Sequence, residues 1–209
     1  KGRCRATALL PIKPVQAAGD DASVTALLAP AGGCAPSATE TVTIRIKNEG
    51  TAAISNFPVS YRLNGGSAVT EPVSSSIPVG DSLDYSFSQT ADLSMPQAYT
   101  LDAWASLSGD VDATNDSLLN QTVLSFTQVS SFPYNEDFEG GPGSWIAGGP
   151  NASWQHGAPA FGTINSAASG TNAWVTNLTG NAPHNENSYL ESPCFDFSGL
   201  NNDPVIQFS

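Results

Sequence analysis

The alternation in TVTIRIKN constrains this chain more than any other feature of its sequence. Val42, Ile44 and Ile46 fall at every second position, and Thr43, Arg45 and Lys47 fill the places between. A period of two sends neighbouring side chains to opposite faces, so the stretch predicts a half-buried strand with its aliphatic set inward. Asn48-Glu49-Gly50 ends it as a turn. The same pattern recurs along the chain. SVTALL puts Val24, Ala26 and Leu28 on one face, FPVSYRL does so with Phe57, Val59, Tyr61 and Leu63, and LDYSF with Leu83, Tyr85 and Phe87. Asn64-Gly65-Gly66 is a hairpin signal, with AVTEPV as the returning strand. AYTLDAW and QTVLSF supply two more strands. Seven or so short strands in about a hundred residues, punctuated by turns, predict a two-sheet β-sandwich. No segment keeps a helical period, so the predicted fold class is all-β.

Composition changes after Gln128. Gly, Asn and Ser rise, and Trp145, Trp154 and Trp174 appear. The expected organisation is a tail or linker at 1–19, a sandwich at 20–128, a short linker at 129–133 (VSSFP) and a second unit at 134–209. Strand candidates in the second unit are YNEDFE, AWVTN, SYLESP and PVIQF. Four or five strands cannot close a sandwich of the jelly-roll kind, which takes eight, so this unit is expected to be incomplete at its C-terminus. PVIQFS reads as a strand cut in mid-run, and Lys1 is not an initiator Met. The expectation is a piece of a longer polypeptide.

Charge excludes several partners. The formal net charge is −12, and no Lys or Arg follows Arg62. Such a field repels phosphate backbones and anionic lipid, so neither nucleic acid nor a membrane surface is expected as partner. No apolar stretch is long enough for membrane insertion. Hard cations, Ca²⁺ above all, are favoured, although a solubilising surface explains the same balance. The three cysteines, Cys4, Cys34 and Cys194, cannot all pair with one another. Either one thiol is free or partners lie outside the segment. Cys4 with Cys34 is the internal pairing considered, and the spacing leaves the question open.

The first unit resembles the CARDB-type Ig-like repeats of bacterial surface proteins. VTIRIKNEGTAAISNFPVSYRLNGG, PVGDSLDYSF and YTLDAWASLSGDVDATND carry the resemblance. It implies a spacer or adhesion module on an exported protein, secreted or on the cell surface. The second unit resembles MAM-like and cleaved-adhesin jelly rolls through DFEGGPGSW, WQHG, SGTNAWVTNL and SYLESPCFDFSGL. Relatives of that kind accompany proteases, adhesins and glycan-active proteins. In jelly rolls of this look a Phe-Glu near the start often places its Glu on a structural Ca²⁺.

Candidate site residues follow. On a predicted strand Asp137 and Glu139 share one face and Phe138 takes the other, which makes the two carboxylates the candidate Ca²⁺ ligands. Two solvated acids that guard an edge strand are the competing reading. Asp110, Asp112, Asn115 and Asp116 share the loop GDVDATND, where turn chemistry is favoured over an ion site. Trp154, near loops, is the candidate ring for stacking on a sugar, while Trp145 and Trp174 are expected in the core. His156, His184 and Cys194 lack the neighbours that catalysis needs. Nothing in the spacing pairs Asp137, Glu139, Glu186 and Glu191 for glycoside hydrolysis. The expected function is therefore a non-catalytic extracellular binding or adhesion module that meets a glycan or protein surface and adjacent domains of its own polypeptide. The alternative is a structural spacer in a larger secreted hydrolase.

Overall fold

The computed structural model describes residues 18–207, and they are all-β. Eight strands build the first unit. They are β1 (Ala22–Ala29), β2 (Gly33–Cys34), β3 (Thr43–Asn48), β4 (Phe57–Leu63), β5 (Val69–Val73), β6 (Ser82–Ser86), β7 (Gln97–Ala105) and β8 (Ser117–Phe126). One sheet has the order β1-β3-β6 and the other β2-β8-β7-β4-β5. Neighbours are antiparallel except β2, which runs parallel to the end of β8.

The two sheets close on one apolar core. Val42, Ile44 and Ile46 are fully buried while Arg45 is exposed, so the predicted register of this strand holds. Phe57, Val59 and Tyr61 of β4 and Tyr99, Leu101 and Ala103 of β7 meet them from the opposite sheet. Phe87 packs edge-on to Tyr61 with ring centroids 4.8 Å apart. The alternation fails in β1. Ala22 and Val24 are buried, but register shifts after Val24 and again after Leu27 rotate the strand. Leu27 packs on the core and Leu28, predicted inward, is 40% exposed. A bulge adds a residue without adding a pair, which the period-two reading cannot foresee.

Two turns lock the sandwich. Asn64 and Gly65 have φ of 49° and 67°, and Gly66 N–H donates to the Leu63 carbonyl at 2.8 Å. Positive φ at both central positions gives the β4–β5 turn the handedness of a tight hairpin. At the Asn-x-Gly corner, Asn48 is fully buried. Its Nδ2 donates to the carbonyls of Ala52 and Ile77, both at 2.8 Å, and its Oδ1 accepts from Gly50 N–H at 2.9 Å. A Cβ on Gly50 would lie 2.6 Å from the Gly19 carbonyl oxygen, so the corner admits glycine alone.

The remaining strands are short: β9 (Gln128–Val129), β10 (Ile146–Gly148), β11 (Trp154–Gly157), β12 (Ala173–Thr176), β13 (Tyr189–Glu191) and β14 (Cys194–Phe195). They form three two-stranded pairings, β10 with β13 and β11 with β12 antiparallel, and β9 with β14 parallel. Two strand expectations are corrected. Residues 134–139 form no strand, because Glu136 Oε1 and Asp137 Oδ1 accept from the N–H groups of Phe138 and Glu139, at 2.8 and 3.0 Å, and Phe138 has a φ of 60°. Local side-chain bonds of this kind compete with a ladder. The PVIQ part of PVIQF is likewise not a strand, since it meets no partner within the described residues, and Val205 is 91% exposed.

Candidate functional site

The strongest construction outside the core lies where the chain leaves the sandwich. β2 pairs with Ser125–Phe126, and Ala35 N–H donates to the Phe126 carbonyl at 2.8 Å. β14 flanks Gln128–Val129, with Cys194 N–H donating to Thr127 and Asp196 N–H to Val129, both at 2.9 Å. A disulfide joins Cys34 to Cys194, with Cα atoms 5.7 Å apart. The connector thus pairs with one short strand before Thr127 and with another after it, and those two strands are bonded covalently. Rings continue the packing beyond it. Tyr134 stands edge-on to Phe195 and Phe132 tilts against Phe197, each pair with centroids 5.2 Å apart. The internal pairing considered from sequence, Cys4 with Cys34, is corrected. Cys34 is bonded to a residue 160 positions away, and Cys4 lies outside the described residues. Chain separation did not decide the pairing; convergence on one connector did. Likewise Val129, predicted as linker, belongs to β9.

The second construction is acidic. Asp110 Oδ2 accepts from Ala22 N–H at 2.8 Å and its Oδ1 from Asp112 N–H at 2.9 Å. Asp112 Oδ1 accepts from Thr114, and Asn115 Nδ2 donates to Asp21 Oδ1 at 3.0 Å. The turn reading of GDVDATND is correct, and the turn also fastens the start of β1. Asp116 closes the group. Burial, followed by the charge of Asp110 and bonding to it and then by Asp21 and Asp112, pushes its carboxyl up to about 6.

The predicted ligands carry hydrogen bonds of their own. Asp137 and Glu139 are exposed and lie in a loop, not on one strand face. Glu139 Oε1 accepts from the N–H groups of Thr171 and Asn172 at 2.8 and 2.7 Å, so this carboxylate closes a loop. No group of three or more acidic, His or Cys side chains suited to a metal ion occurs among the described residues. Trp154 opens β11, opposite Thr176, and is half-buried. Trp145 and Trp174 are also half-buried. Trp145 packs edge-on to Phe138 at 5.7 Å, and Trp174 packs on His156 at 5.8 Å. His156 Nε2 lies 2.7 Å from the Phe138 carbonyl oxygen, and His184 is exposed. Glu186 holds Ser153 through its backbone N–H and hydroxyl.

Comparison with known families decides the identity of the sandwich. The CARDB family model matches residues 24–122. This unit is a CARDB domain. Among solved structures, the CARDB domain of PF1109 from Pyrococcus furiosus is 16% identical, covers 52% of this chain and 97% of its own, and superposes with a TM-score of 0.41. A domain from a proposed cell surface protein of Methanosarcina acetivorans is 22% identical, covering 51% and 91%, with a TM-score of 0.40. Bacillopeptidase F of Bacillus subtilis is 47% identical over 60 residues, which are 29% of this chain and 4% of that protein. The chain therefore spans only a small part of that relative. Within the CARDB domain, sequence reasoning missed the Glu71 contacts. Its carboxylate accepts from Ser88 N–H and Oγ, Gln89 N–H and the Tyr85 hydroxyl. These bonds tie β5, at the edge of one sheet, to β6 and the turn after it in the other. The PVGDSLDYSFSQ run gives no signal of them, because two of the four donors are backbone N–H groups and the other two are hydroxyls brought near only by the fold.

Proposed function

We propose that this chain is a non-catalytic, extracellular module of a larger bacterial protein, and that it holds neighbouring domains at a fixed spacing and orientation. The observation that carries the reading is the Cys34–Cys194 bond between the two strands that pair with the connector leaving the CARDB domain. A joint of this construction suits a positioning element, and a structural disulfide suits an oxidising, extracellular compartment. The local identity to a peptidase agrees with a place beside a catalytic domain. Residues from 134 onward are read as the first part of a MAM-like jelly roll, supported by the two antiparallel pairings β10–β13 and β11–β12. Calcium at Asp137 and Glu139 belongs to this proposal on the strength of the all-negative sequence after Arg62.

A cleft of about 310 Å³ between Phe161–Ile164 and Val175–Ala182 favours a second reading, contact with an uncharged partner such as a glycan. Phe161 and Ile164 are 43% and 57% exposed beside it, and the lining carries no charged side chain. Neutral polar groups around an exposed ring suit sugar surfaces.

The positioning reading is tested by ¹⁵N relaxation on the oxidised chain. One rotational correlation time is expected for β1–β8 and β10–β14 together. Two separate times in the oxidised protein would refute it.

A further inference from the structure

The Cys34–Cys194 bond also redraws the path by which tension crosses the molecule. We propose that it is a mechanical bypass: a load carried through this chain runs along β1 to Cys34, crosses the disulfide to Cys194 and leaves, so nearly all of both units stays outside the load path. The proposal rests on the extracellular positioning reading only in needing an oxidising compartment for the bond.

The topology supports it step by step. The chain enters the sandwich at Gly19–Asp21, where Thr51 N–H donates to the Gly19 carbonyl and Glu49 N–H to that of Asp21. β1 then runs the length of the sheet, pairing Ala22 with Asn48 at one end and Ala29 with Thr43 at the other. Cys34 follows a few residues later at the far end, beside Phe126. Pulling residues before Asp20 away from Cys34 therefore shears β1 lengthwise against β3. Ala22 and Val24 resist through further bonds to Asp110 Oδ2 and the Asn115 carbonyl. No other sandwich strand lies between the point of loading and the disulfide, apart from the two residues of β2. From Cys34 the covalent path skips 160 positions to Cys194. The skipped segment contains β3–β13, and the connector at 125–129 sits inside it, paired with β2 and then with β14. Stretched out, that segment would measure about 55 nm at about 3.5 Å per residue. The intact bond withholds that length.

The test is single-molecule force extension of the full chain, held by handles at its two ends, in a Cys4→Ser background that excludes thiol exchange. Thiol titration before pulling establishes that Cys34 and Cys194 are bonded. The oxidised chain is expected to extend only by the segments outside the loop. An added dithiol then opens the bond by two exchanges: the S–S bond accepts two electrons and two protons to give two thiols, and the reductant closes to its own disulfide. After reduction the total contour length should grow by about 55 nm. Cys34→Ser/Cys194→Ser should show the same gain without reductant, and the reduced parent covers the case in which that variant fails to fold. Full extension of a chain whose two thiols titrate as bonded would overturn the bypass and leave the positioning reading standing. Free thiols at Cys34 and Cys194 after production under oxidising conditions would overturn both.

Discussion

Asp116→Asn should stabilise this protein at neutral pH, although it removes a charge from a surface loop. Asp116 is half-buried and faces the carboxylates of Asp110, Asp21 and Asp112, so its ionised form is unfavourable in the folded state. Its pKa rises from an ordinary 3.8 to about 6. A folded-state pKa above the unfolded one means that the folded chain holds its proton more tightly. The associated stability is complete below about pH 3.8 and is lost as pH rises through about 6. A displacement of this size corresponds to about 3 kcal/mol, and partial contact with water reduces it to about 1–2 kcal/mol. Asparagine keeps the shape, carries no charge at any pH and can donate to Asp110. Urea melts of parent and variant at several pH values from 4 to 8, at fixed ionic strength and with chelator present, measure the difference. The gain of the variant should be about 1–2 kcal/mol larger at pH 8 than at pH 4. A difference in stability between the two proteins that stays constant across this range would refute the reasoning.

Glu71 works in the opposite sense. Burial alone would raise its carboxyl, but the bonds from Ser88, Gln89 and Tyr85 outweigh it and hold the pKa at about 2. The stability it contributes is complete above about pH 4.5 and is lost as pH falls towards 2. Glu71→Gln should therefore cost about 1–2 kcal/mol in a urea melt at pH 7, after allowance for solvent contact, and converge with the parent near pH 2. An equal cost at both pH values would count against the charge as its origin. Calcium is tested by thermal melts with Ca²⁺ and then chelator at fixed ionic strength. Ca²⁺ should raise the midpoint of the parent, and Glu139→Gln, whose Oε1 can still accept from Thr171 and Asn172, should lose that rise. An unchanged midpoint for both proteins, or a rise that Mg²⁺ reproduces, sinks the calcium proposal.

The sandwich was legible in sequence because its signals are local. Val42, Ile44 and Ile46 declare their face by spacing alone, and Asn64-Gly65 declares its turn by the φ angles it tolerates. Leu28 was misplaced because a bulge is set by the partner strand. The second unit was harder to read for the same reason. DFE alternates like a strand, yet Glu136 and Asp137 satisfy the next N–H groups themselves and Glu139 reaches across to Thr171 and Asn172. The disulfide depends on where residues 33–35 and 194–196 come to lie beside one connector, which no spacing encodes. The acidic residues of 110–116 were found by composition, but the part played by Asp21, some 90 positions earlier, emerges only when β1 lies beside that turn.

Each described basic side chain is already engaged: Arg45 with Asp84, Lys47 with Glu49, and Arg62 with Asp102 and the face of Trp104. Two copies brought together through their folded units would therefore meet as carboxylate against carboxylate, with no uncommitted cation from those units to bridge them. Dense arrays on a surface would have to recruit counter-ions from the medium. Dilution of salt should spread such arrays apart, and acidification should let them crowd, without any change in the fold of a single copy.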